Sequence, residues 1–350
     1  MNQPHQLHFD NQNKSSAKAS SPSFLVTICA LMAVIGVFFF SLRAPSAKAR
    51  TRIALKMAPS AGLIVLASHQ GYFDEEGLEV EVVPVGSDVE ALSSLKVNEK
   101  GERADFAVSF ETLVTKALLS GERLVILSEL FSSSSNTVVL YRKEAGIQRP
   151  SDLKRKTIGL PSGSASEFVF ELFLAGHSLK REDVKIVDVD AETLSKRLVA
   201  KELDAIVVGE PKATLAVQGY GEDFGRMETD FYSQTAALVS SREAIEHQKD
   251  VPVRLLRALR RALAYYRNEP VEARAKVLAA MGMDPTPENE VMWERARPHL
   301  GLSSVLAAMM KEELDWFRSR QRSVRASPEV EDSFEPQYLI QVAPELITYR

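Results

Sequence analysis

The loop Ser162–Ser166 is the stretch whose residue types are best suited to chemistry, because it combines hydroxyl groups with a glycine. The short apolar run before it, which ends at Leu160, is typical of a buried strand in a parallel sheet. Apolar residues then recur at helical spacing from Phe168 to Phe173, so the loop lies at the start of a helix. Such a start offers unpaired N–H groups and the positive end of the helix dipole, which suit an anion, a carboxylate or a neutral polar ligand. The sequence therefore predicts a ligand-binding loop between a strand and a helix.

Two interpretations of this loop stay open. In the first, Ser162, Gly163, Ser164 and Ser166 bind a ligand through their hydroxyls and backbone amides. In the second, Ser164 or Ser166 only caps the helix, with Glu167 favourably placed near the positive end of the dipole. The rest of the chain favours the first interpretation.

Composition limits the class of protein. The chain has 350 residues with 45% hydrophobic and 26% charged residues, enough for a large core divided between two domains or lobes. A formal net charge of -4 argues against a nucleic-acid-binding protein. Cys29 is the single cysteine, so neither an internal disulfide nor a cysteine metal cluster is expected.

The amino-terminal part predicts export. Residues 1–23 are polar and typical of a disordered leader, whereas Phe24–Leu42 carries no charge and is long enough to cross a bilayer. The segment is either a retained transmembrane anchor or a signal sequence, since Ala47–Ala49 has the small-x-small pattern of a peptidase site. Residues 43–50 are expected to be a linker. The protein is therefore expected at the periplasmic or extracytoplasmic face, anchored to the inner membrane by residues 24–42.

The charges around this segment predict the opposite orientation in the membrane. Arg43, Lys48, Arg50 and Arg52 follow it, and by the positive-inside rule they would keep the body of the protein in the cytoplasm. Export is preferred because of the family resemblance described below.

Alternating strands and helices are the elements that must position the central loop. A strand at Ile53–Met57, a loop at Ala58–Gly62 and a helix at Leu63–Gln70 repeat its design. Strands at Ala104–Val108 and Asp204–Val208 are also followed by polar residues, Ser109 and Glu210. The alternation predicts an α/β fold, with mostly parallel sheets covered by helices and ligands outside the carboxyl ends of the strands.

A serine run marks an expected boundary between lobes. Phe131–Asn136 lies between predicted strands at Leu124–Leu130 and Val138–Tyr141, and is interpreted either as a solvated loop or as a hinge and ligand lip. The predicted division is residues 51–140 for the first part of lobe 1, 141–234 for lobe 2, and 235–350 for the completion of lobe 1. The last part is expected to hold a return strand at Gln234–Val239 and helices at Pro252–Arg267, Val271–Met281, Pro287–Arg297 and Ser303–Arg320.

From Thr51 onward the sequence resembles the solute-binding proteins of the nitrate, sulfonate and taurine type, a family that also contains binders of pyrimidine precursors of thiamine. The most specific element of the resemblance is Gly71–Glu81. Arg155 and Lys201 depart from the family pattern, which usually has glycine at each of these surface turns. The weaker motifs that occur in the right order are Pro59–Gly62, Ala104–Val108, Asp152–Lys154, Gly163–Ser164, Leu203–Ala205, Glu210–Pro211 and Tyr338–Leu346.

The resemblance implies a two-lobe periplasmic-binding-protein type II fold, which closes on a ligand held between the lobes and delivers it to an ABC permease. The implied partners are thus a small-molecule ligand, the permease and the membrane, with no nucleic acid. No catalytic residue, metal or cofactor is expected. The residues that the resemblance places in the cleft are Pro59, Ser60, Ala61, Ser109, Phe110, Ser134, Asn136, Ser162, Gly163, Ser164, Ser166 and Glu210.

Such a pocket would be lined by hydroxyls and amides, with one candidate carboxylate and no evident arginine. This chemistry suits a small polar ligand whose negative group, if it has one, is held by neutral donors. Glu210 would either accept an ammonium or ring N–H from the ligand or orient the turn before Pro211.

Two other classes of function remain. Enzymes share this architecture, but His69 and His177 stand alone, and no nucleophile and base occur at informative spacing. The related pyrimidine synthase would be expected to carry a cysteine-rich metal motif, whereas this chain has only Cys29. The second class is a membrane-tethered interaction or ligand-sensing protein that retains the binding fold without a permease.

Overall fold

Two β-sheets and the helices that pack on them form the described part of the chain. The computed structural model describes residues 48–134, 137–210, 212–220, 223–229, 232–284, 286, 293, 297–320 and 329–349. The predicted leader, the span at 24–42 and most of the predicted linker lie outside these residues. Within the described ranges, no helix has both the length and the apolar character needed to cross a bilayer.

The first sheet has six strands and defines the first lobe. Its spatial order is β11-β4-β10-β3-β1-β2. The first strand begins at Ala49, inside the segment predicted as a linker. The strands are β1 (Ala49–Lys56), β2 (Leu78–Val85), β3 (Phe106–Phe110), β4 (Leu124–Ser133), β10 (Gln234–Ser241) and β11 (Arg297–Gly301).

The second sheet has five strands and defines the second lobe. Its order is β7-β6-β8-β5-β9. The chain enters this lobe directly from β4 and leaves it directly into β10, so two crossovers join the sheets. The strands are β5 (Thr137–Arg142), β6 (Thr157–Leu160), β7 (Lys185–Asp188), β8 (Ala205–Gly209) and β9 (Phe224–Glu228).

Helices cover both sheets. In chain order they are α1 (Gly62–His69), α2 (Tyr72–Glu75), α3 (Asp88–Ser93), α4 (Glu111–Leu119), α5 (Ala165–Gly176), α6 (Leu194–Val199), α7 (Lys212–Tyr220), α8 (Arg242–His247), α9 (Val251–Asn268), α10 (Pro270–Ala280), α11 (Ser304–Arg320) and α12 (Pro336–Ile340).

The expectation of mostly parallel sheets was wrong, because both sheets are mixed. β1 pairs in parallel with β2 and β3, but β10 pairs antiparallel with β3 and β4. In the second sheet β6 pairs in parallel with β7 and β8, whereas β5 pairs antiparallel with β8 and β9. The cause is topological. The chain enters the second lobe through β5 and returns to the first lobe through β10, so both strands run away from the crossovers. Each of them lies between two strands that run toward the crossovers.

The alternating pattern of apolar residues predicted most of the other elements. The return strand expected at Gln234–Val239 is β10 and lies within the first sheet. The serine run was assigned entirely to a loop, which was wrong, because β4 continues through Ser133. Of the residues of this run that the structure describes, Ser134 is in a turn. Of the helix expected at Pro287–Arg297, Trp293 is described as helical and Arg297 already belongs to β11, while the rest lies outside the described residues. Both β9 and β11 were missed.

Backbone geometry explains the glycines of the Gly71–Glu81 motif. Gly71, before α2, and Gly77, before β2, have φ angles of 72° and 73°. Side-chain-bearing residues rarely adopt this left-handed conformation. The departures from the family pattern have the same geometry, since Arg155 and Lys201 have φ angles of 64° and 62° in exposed turns. Glycine suits these two turns for the same physical reason.

Candidate functional site

The predicted site residues follow strands that run toward the crossovers. β4 ends at Ser133, immediately before the first crossover, and β1 and β3 run in the same direction because β10 is antiparallel to both β3 and β4. In the second lobe β6 and β8 run opposite to β5, which starts at the crossover. The loops after β1, β3, β6 and β8 therefore lie at the crossover side of their sheets. This is the side where open α/β sheets bind ligands.

The loop after β1 is a short 3₁₀ helix, Pro59–Ala61. Ser60 and Ala61 are buried, whereas Pro59 is half-buried. Ser109, the next-to-last residue of β3, is also buried, and its hydroxyl donates to the Asp88 carbonyl at 3.4 Å. These buried groups support the wall of the first lobe, and of the three loop residues only Pro59 has substantial exposed surface.

Phe110 is the partly exposed residue at the end of β3. Its ring meets that of Phe131 edge to face, with centroids 6.3 Å apart. Ser134 is exposed in the turn after β4, and Asn136 lies outside the described residues. This part of the first lobe thus offers an aromatic edge beside hydroxyl groups.

Two amides of the central loop donate to carboxylates outside the loop, one in β7 and one in α5. The Ser162 amide donates to the Asp188 carboxylate at 2.8 Å, and the Gly163 amide donates to the Glu167 carboxylate at 2.6 Å. Ser164 is the N-cap of α5, since its hydroxyl accepts from the Glu167 amide at 3.3 Å. The capping interpretation is therefore confirmed for Ser164. For a ligand, the loop leaves the hydroxyls of Ser162 and Ser166 and the amides of Ala165 and Ser166, because the Glu167 amide is bonded to the cap.

Glu210 is paired with an arginine that the sequence did not reveal. Its carboxylate lies 3.0 Å from the guanidinium of Arg226 and accepts from the Thr214 amide at 3.1 Å, so it orients the start of α7. Arg226 also lies 2.9 Å from the Glu228 carboxylate. Arg226 was missed because β9 was missed. The sequence pattern that could have revealed this strand is the spacing of Arg226 and Glu228, which are two residues apart and therefore lie on one face of a strand.

The two crossovers are tied to each other. The Thr137 hydroxyl donates to the Gln234 side chain at 2.9 Å, and the Thr229 hydroxyl donates to the Thr137 carbonyl at 2.6 Å. All three side chains are buried. Entry and exit of the second lobe therefore form one hydrogen-bonded unit.

A buried carboxyl pair lies beside the return crossover and was also missed by sequence reasoning. The Tyr232 hydroxyl is 2.5 Å from Oε1 of Glu111 and 2.5 Å from Oε1 of Glu313. Burial raises the pKa of Glu313 to about 7, and burial with the neighbouring Glu313 charge raises the pKa of Glu111 well above its usual range. Burial and the two carboxyl groups also raise the pKa of Tyr232.

The lobes contact each other through α5 and α11. Phe168 of α5 packs edge to face against Trp316 of α11, with centroids 5.3 Å apart. The Trp316 indole N–H donates to the Glu171 carboxylate at 2.8 Å, and Arg320 donates to the same carboxylate at 2.6 Å. Burial opposes ionisation of Glu171, but these two hydrogen bonds and the Arg320 charge outweigh it and lower the pKa of Glu171.

A second inter-lobe contact reaches the predicted ligand loop. Lys116 of α4 donates to the Gly163 carbonyl at 2.7 Å. The first lobe thus touches the loop through a cation whose position is set by the helix after β3.

A cavity of about 280 Å³ lies at the opposite end of the second lobe. Its Arg142 and Lys201 are both paired with Glu144, so its charges largely satisfy one another. The lining residues are Arg142, Lys143, Glu144, Val199, Lys201, Asp223 and Phe224. Among the described residues, no group of three or more His, Cys, Asp or Glu side chains could hold a metal ion.

Two β-sheets covered by helices, two crossovers between them and polar loops at the crossover side define the fold of periplasmic binding proteins. The chain belongs to the family described as NMT1/THI5 like, which matches residues 58–273. A putative thiamine biosynthesis protein of Haemophilus influenzae is 26% identical over 252 residues, which cover 69% of this chain and 76% of that protein.

Solved structures share the fold. The periplasmic aliphatic sulphonate binding protein SsuA from Escherichia coli has a TM-score of 0.69 at 18% identity, covering 83% of this chain and 99% of that one. The alkanesulfonate-binding protein SsuA from Xanthomonas axonopodis pv. citri, bound to MOPS, has a TM-score of 0.64 at 16% identity, covering 83% and 99%. The desulfurization enzyme DSZB also matches, with a TM-score of 0.58 at 14% identity, covering 85% and 99%. The fold is therefore used by binding proteins and by at least one enzyme.

Proposed function

We propose that this protein is the extracytoplasmic solute-binding component of an ABC transporter. The observation that carries the proposal is the arrangement of the loops after β1, β3, β6 and β8, which lie at the crossover side of two sheets joined by two crossovers. Membership of the NMT1/THI5-like family and the fold shared with SsuA support this role. The partner that takes up the released solute is an inner-membrane permease, and residues 24–42 attach the protein to that membrane.

The ligand is a small polar or anionic organic solute, of the sulfonate, taurine, nitrate or pyrimidine type. The groups that bind it are the Ser162 and Ser166 hydroxyls, the amides of Ala165 and Ser166 at the start of α5, and Phe110 on the opposite lobe. Hydroxyls and helix-start amides favour a negative or electron-rich group, whereas an aromatic edge favours a planar one. Arg226 lies between Glu210 and Glu228, so its charge is already balanced within the protein.

Ligand binding is tested by thermal unfolding of residues 48–350 in the presence of sulfonates, taurine, nitrate, carboxylates, amines and pyrimidines. A solute that binds only the folded protein raises Tm in a saturable way, by mass action. Ser166→Ala should reduce the shift. Ser151→Ala is the matched control, because Ser151 is exposed at the far end of the second lobe. Recovery of the solute unchanged is expected.

Other outcomes would replace the proposal. Consumption of the solute would make the protein an enzyme, as the fold of DSZB allows. If no compound of these classes shifts Tm, the membrane-tethered interaction protein becomes the better account. An equal loss of the shift in Ser166→Ala and Ser151→Ala would remove the α5 loop from the site.

A further inference from the structure

Three ionisable side chains lie buried where the first lobe, the return crossover and α5 meet. Glu111 is the first residue of α4, Glu313 lies in α11, and Tyr232 precedes β10. Relative exposure is 0% for both glutamates and 7% for Tyr232. The proposed ligand loops do not use these groups, and burying two acids side by side is costly unless their charge is neutralised by a proton or by a partner.

Proton counting shows what the geometry of this cluster requires. A phenol carries one proton, so the Tyr232 hydroxyl donates to either Glu111 or Glu313 but not to both. Both carboxyl oxygens nevertheless lie 2.5 Å from the phenol oxygen. The second contact is a hydrogen bond only when the other carboxyl group is protonated and donates to the phenol oxygen. The arrangement therefore needs at least one proton on the carboxyl pair.

The other partners of Glu313 are neutral. The Thr112 hydroxyl donates to Oε1 of Glu313 at 2.6 Å, and the Thr115 hydroxyl donates to Oε2 at 2.8 Å. Both donors lie on α4, so these bonds join α4 to α11.

Glu111 also lacks a cationic partner among the described residues. Its Oε2 accepts from the Thr235 amide at 2.6 Å, which joins α4 to the start of β10. Lys116, on the same helix, donates to Gly163 of the second lobe and lies 5.6 Å from the Phe317 ring centroid. No described cation contacts the carboxyl pair, so a second negative charge on the pair would stay uncompensated by these residues.

The cluster is connected to the second lobe by two routes. The Tyr232 ring meets Phe168 of α5 edge to face, with centroids 5.4 Å apart. Trp316 follows Glu313 by one helical turn on α11 and contacts both Phe168 and Glu171 of α5. Any displacement of α11 or Tyr232 therefore changes the contact between the lobes.

We propose that the Glu111–Glu313 pair is a proton-operated lock on the contact between the two lobes. With at least one proton on the pair, Tyr232 bridges the carboxyl groups, and α11 is held against α4 and α5. When the last proton leaves, two adjacent carboxylates repel each other in a buried site, so α11 moves away from α4 and Trp316 changes its contact with α5. The lock depends on the fold alone, and its test needs no ligand.

The direction of the pH dependence follows from the raised pKa values of both glutamates. The folded protein holds these protons more tightly than an unfolded chain does, so the contribution to stability is complete below pH 4.5 and is lost as the pH rises through the folded values. Glu313 ionises at about 7, which leaves the proton on Glu111 and the bridge intact. The charge on Glu313 then raises the pKa of Glu111 further, so the lock opens only when Glu111 ionises in turn.

The test is ¹⁹F NMR of the full chain labelled with 5-fluorotryptophan. The protein has two tryptophans, so two resonances are expected, and Trp316→Phe assigns them. Between pH 6 and pH 9.5 the Trp316 resonance should shift as the carboxyl pair loses its last proton, whereas the Trp293 resonance should stay in place because Trp293 is buried in the first lobe. In Glu313→Gln the pair cannot carry two charges, and the Trp316 resonance should keep its low-pH position.

Control variants separate this lock from other titrations. His177 lies beside Phe173 on α5, and His177→Asn should leave the transition unchanged. Glu111→Gln replaces Glu313→Gln if the latter does not fold, because it also removes one of the two charges. The proposal is overturned if the Trp316 resonance does not move up to pH 9.5, if it still moves in the glutamine variant as it does in the unchanged protein, or if His177→Asn abolishes the transition. A failed ligand screen would leave this titration unaffected.

Discussion

At the scale of single residues, Ser164 shows how a helix cap and a ligand site compete for the same groups. Its hydroxyl accepts from the Glu167 amide, and the Glu167 carboxylate turns back to the Gly163 amide and also pairs with Arg181 at 2.7 Å. These bonds shape the loop before any ligand arrives. Ser166, two residues further along the chain and inside α5, has no such capping role and is the better probe of ligand contact.

Stability should therefore separate the two serines. Ser164→Ala should lower the free energy of unfolding by about 1 kcal/mol, because an N-cap hydrogen bond is lost, and Ser164→Asp should restore most of it. Ser166→Ala should change stability by less than about 0.5 kcal/mol. Urea unfolding monitored by circular dichroism measures all three. Equal losses in both alanine variants would contradict the assignment of the cap.

Arg155 offers a stabilising change at the same scale. It has a φ angle of 64° in an exposed turn, where a residue with a Cβ is strained. Arg155→Gly should raise the free energy of unfolding by about 0.5–1 kcal/mol, since the relief of strain exceeds the added chain entropy. Arg155→Ala keeps the Cβ and is the matched control, expected to leave stability unchanged. If both variants behave alike in urea unfolding, backbone strain is not the cause.

At the scale of elements, β11 is held to β4 by a charged pair near the edge of the first sheet. His299 Nε2 is 2.9 Å from the Glu129 carboxylate, and Nδ1 is 3.0 Å from the Arg297 carbonyl. Both ring nitrogens face acceptors, so the imidazole is held as a cation. The Ser303 amide also donates to Glu129 at 2.7 Å, which links the strand pair to the start of α11.

The stability of this strand pair should depend on pH. Burial opposes the charge on both partners, but the hydrogen bonds between them outweigh it, raising the pKa of His299 and lowering that of Glu129. The His299 contribution is complete below pH 6.5 and is lost as pH rises through its raised pKa. The Glu129 contribution is present above pH 4.5 and is lost as pH falls through its lowered pKa.

His299→Asn should therefore cost most between pH 4.5 and pH 6.5, where both partners are charged. A loss of about 1.5 kcal/mol is expected there, typical of a hydrogen bond to a charged group. Urea unfolding of both proteins at a series of pH values measures the difference. A difference that does not diminish above pH 6.5 would show that the imidazole is not a cation in the folded protein.

The elements also show what could be predicted from the sequence. Apolar runs identify β1, β3 and β10 by their buried centres, which are residues 53–55, 106–108 and 236–239. It fails for β9, which contains Gly225 and is half-buried throughout, and for β11, which contains Pro298. Such residues are tolerated in edge strands, and β9 and β11 both lie at the edge of a sheet. Their pairing is set by the neighbouring strand, so their own residue pattern does not reveal them.

At the scale of the whole molecule, the lobes meet through a few side chains of α5 and α11. Glu171 is central, since it accepts hydrogen bonds from Trp316 and Arg320 of the first lobe. No local pattern reveals this contact or the Glu111–Glu313 pair, because their members lie far apart in the chain. The family resemblance could predict the two-lobe fold, but not the contacts between the lobes.

Removing the carboxylate of Glu171 should weaken that contact. In Glu171→Ala, the Trp316 indole and Arg320 lose their acceptor, so acrylamide should quench Trp316 fluorescence more strongly than in the unchanged protein, and the radius of gyration from X-ray scattering should increase. Glu182→Ala is the matched control, because Glu182 is exposed and pairs only loosely with Lys180 at 3.9 Å. Identical quenching in the two variants would show that Glu171 does not hold the lobes together.

The position of β10 has a consequence for synthesis of the chain. This strand lies between β3 and β4 in the first sheet, yet the whole second lobe precedes it in the sequence. During translation, β3 and β4 therefore each keep an edge unpaired until the second lobe has been synthesised and β10 follows. Exposed edges of this kind are templates for aggregation. A nascent chain of this topology benefits from remaining unfolded, or bound to a chaperone, until residue 241 has emerged.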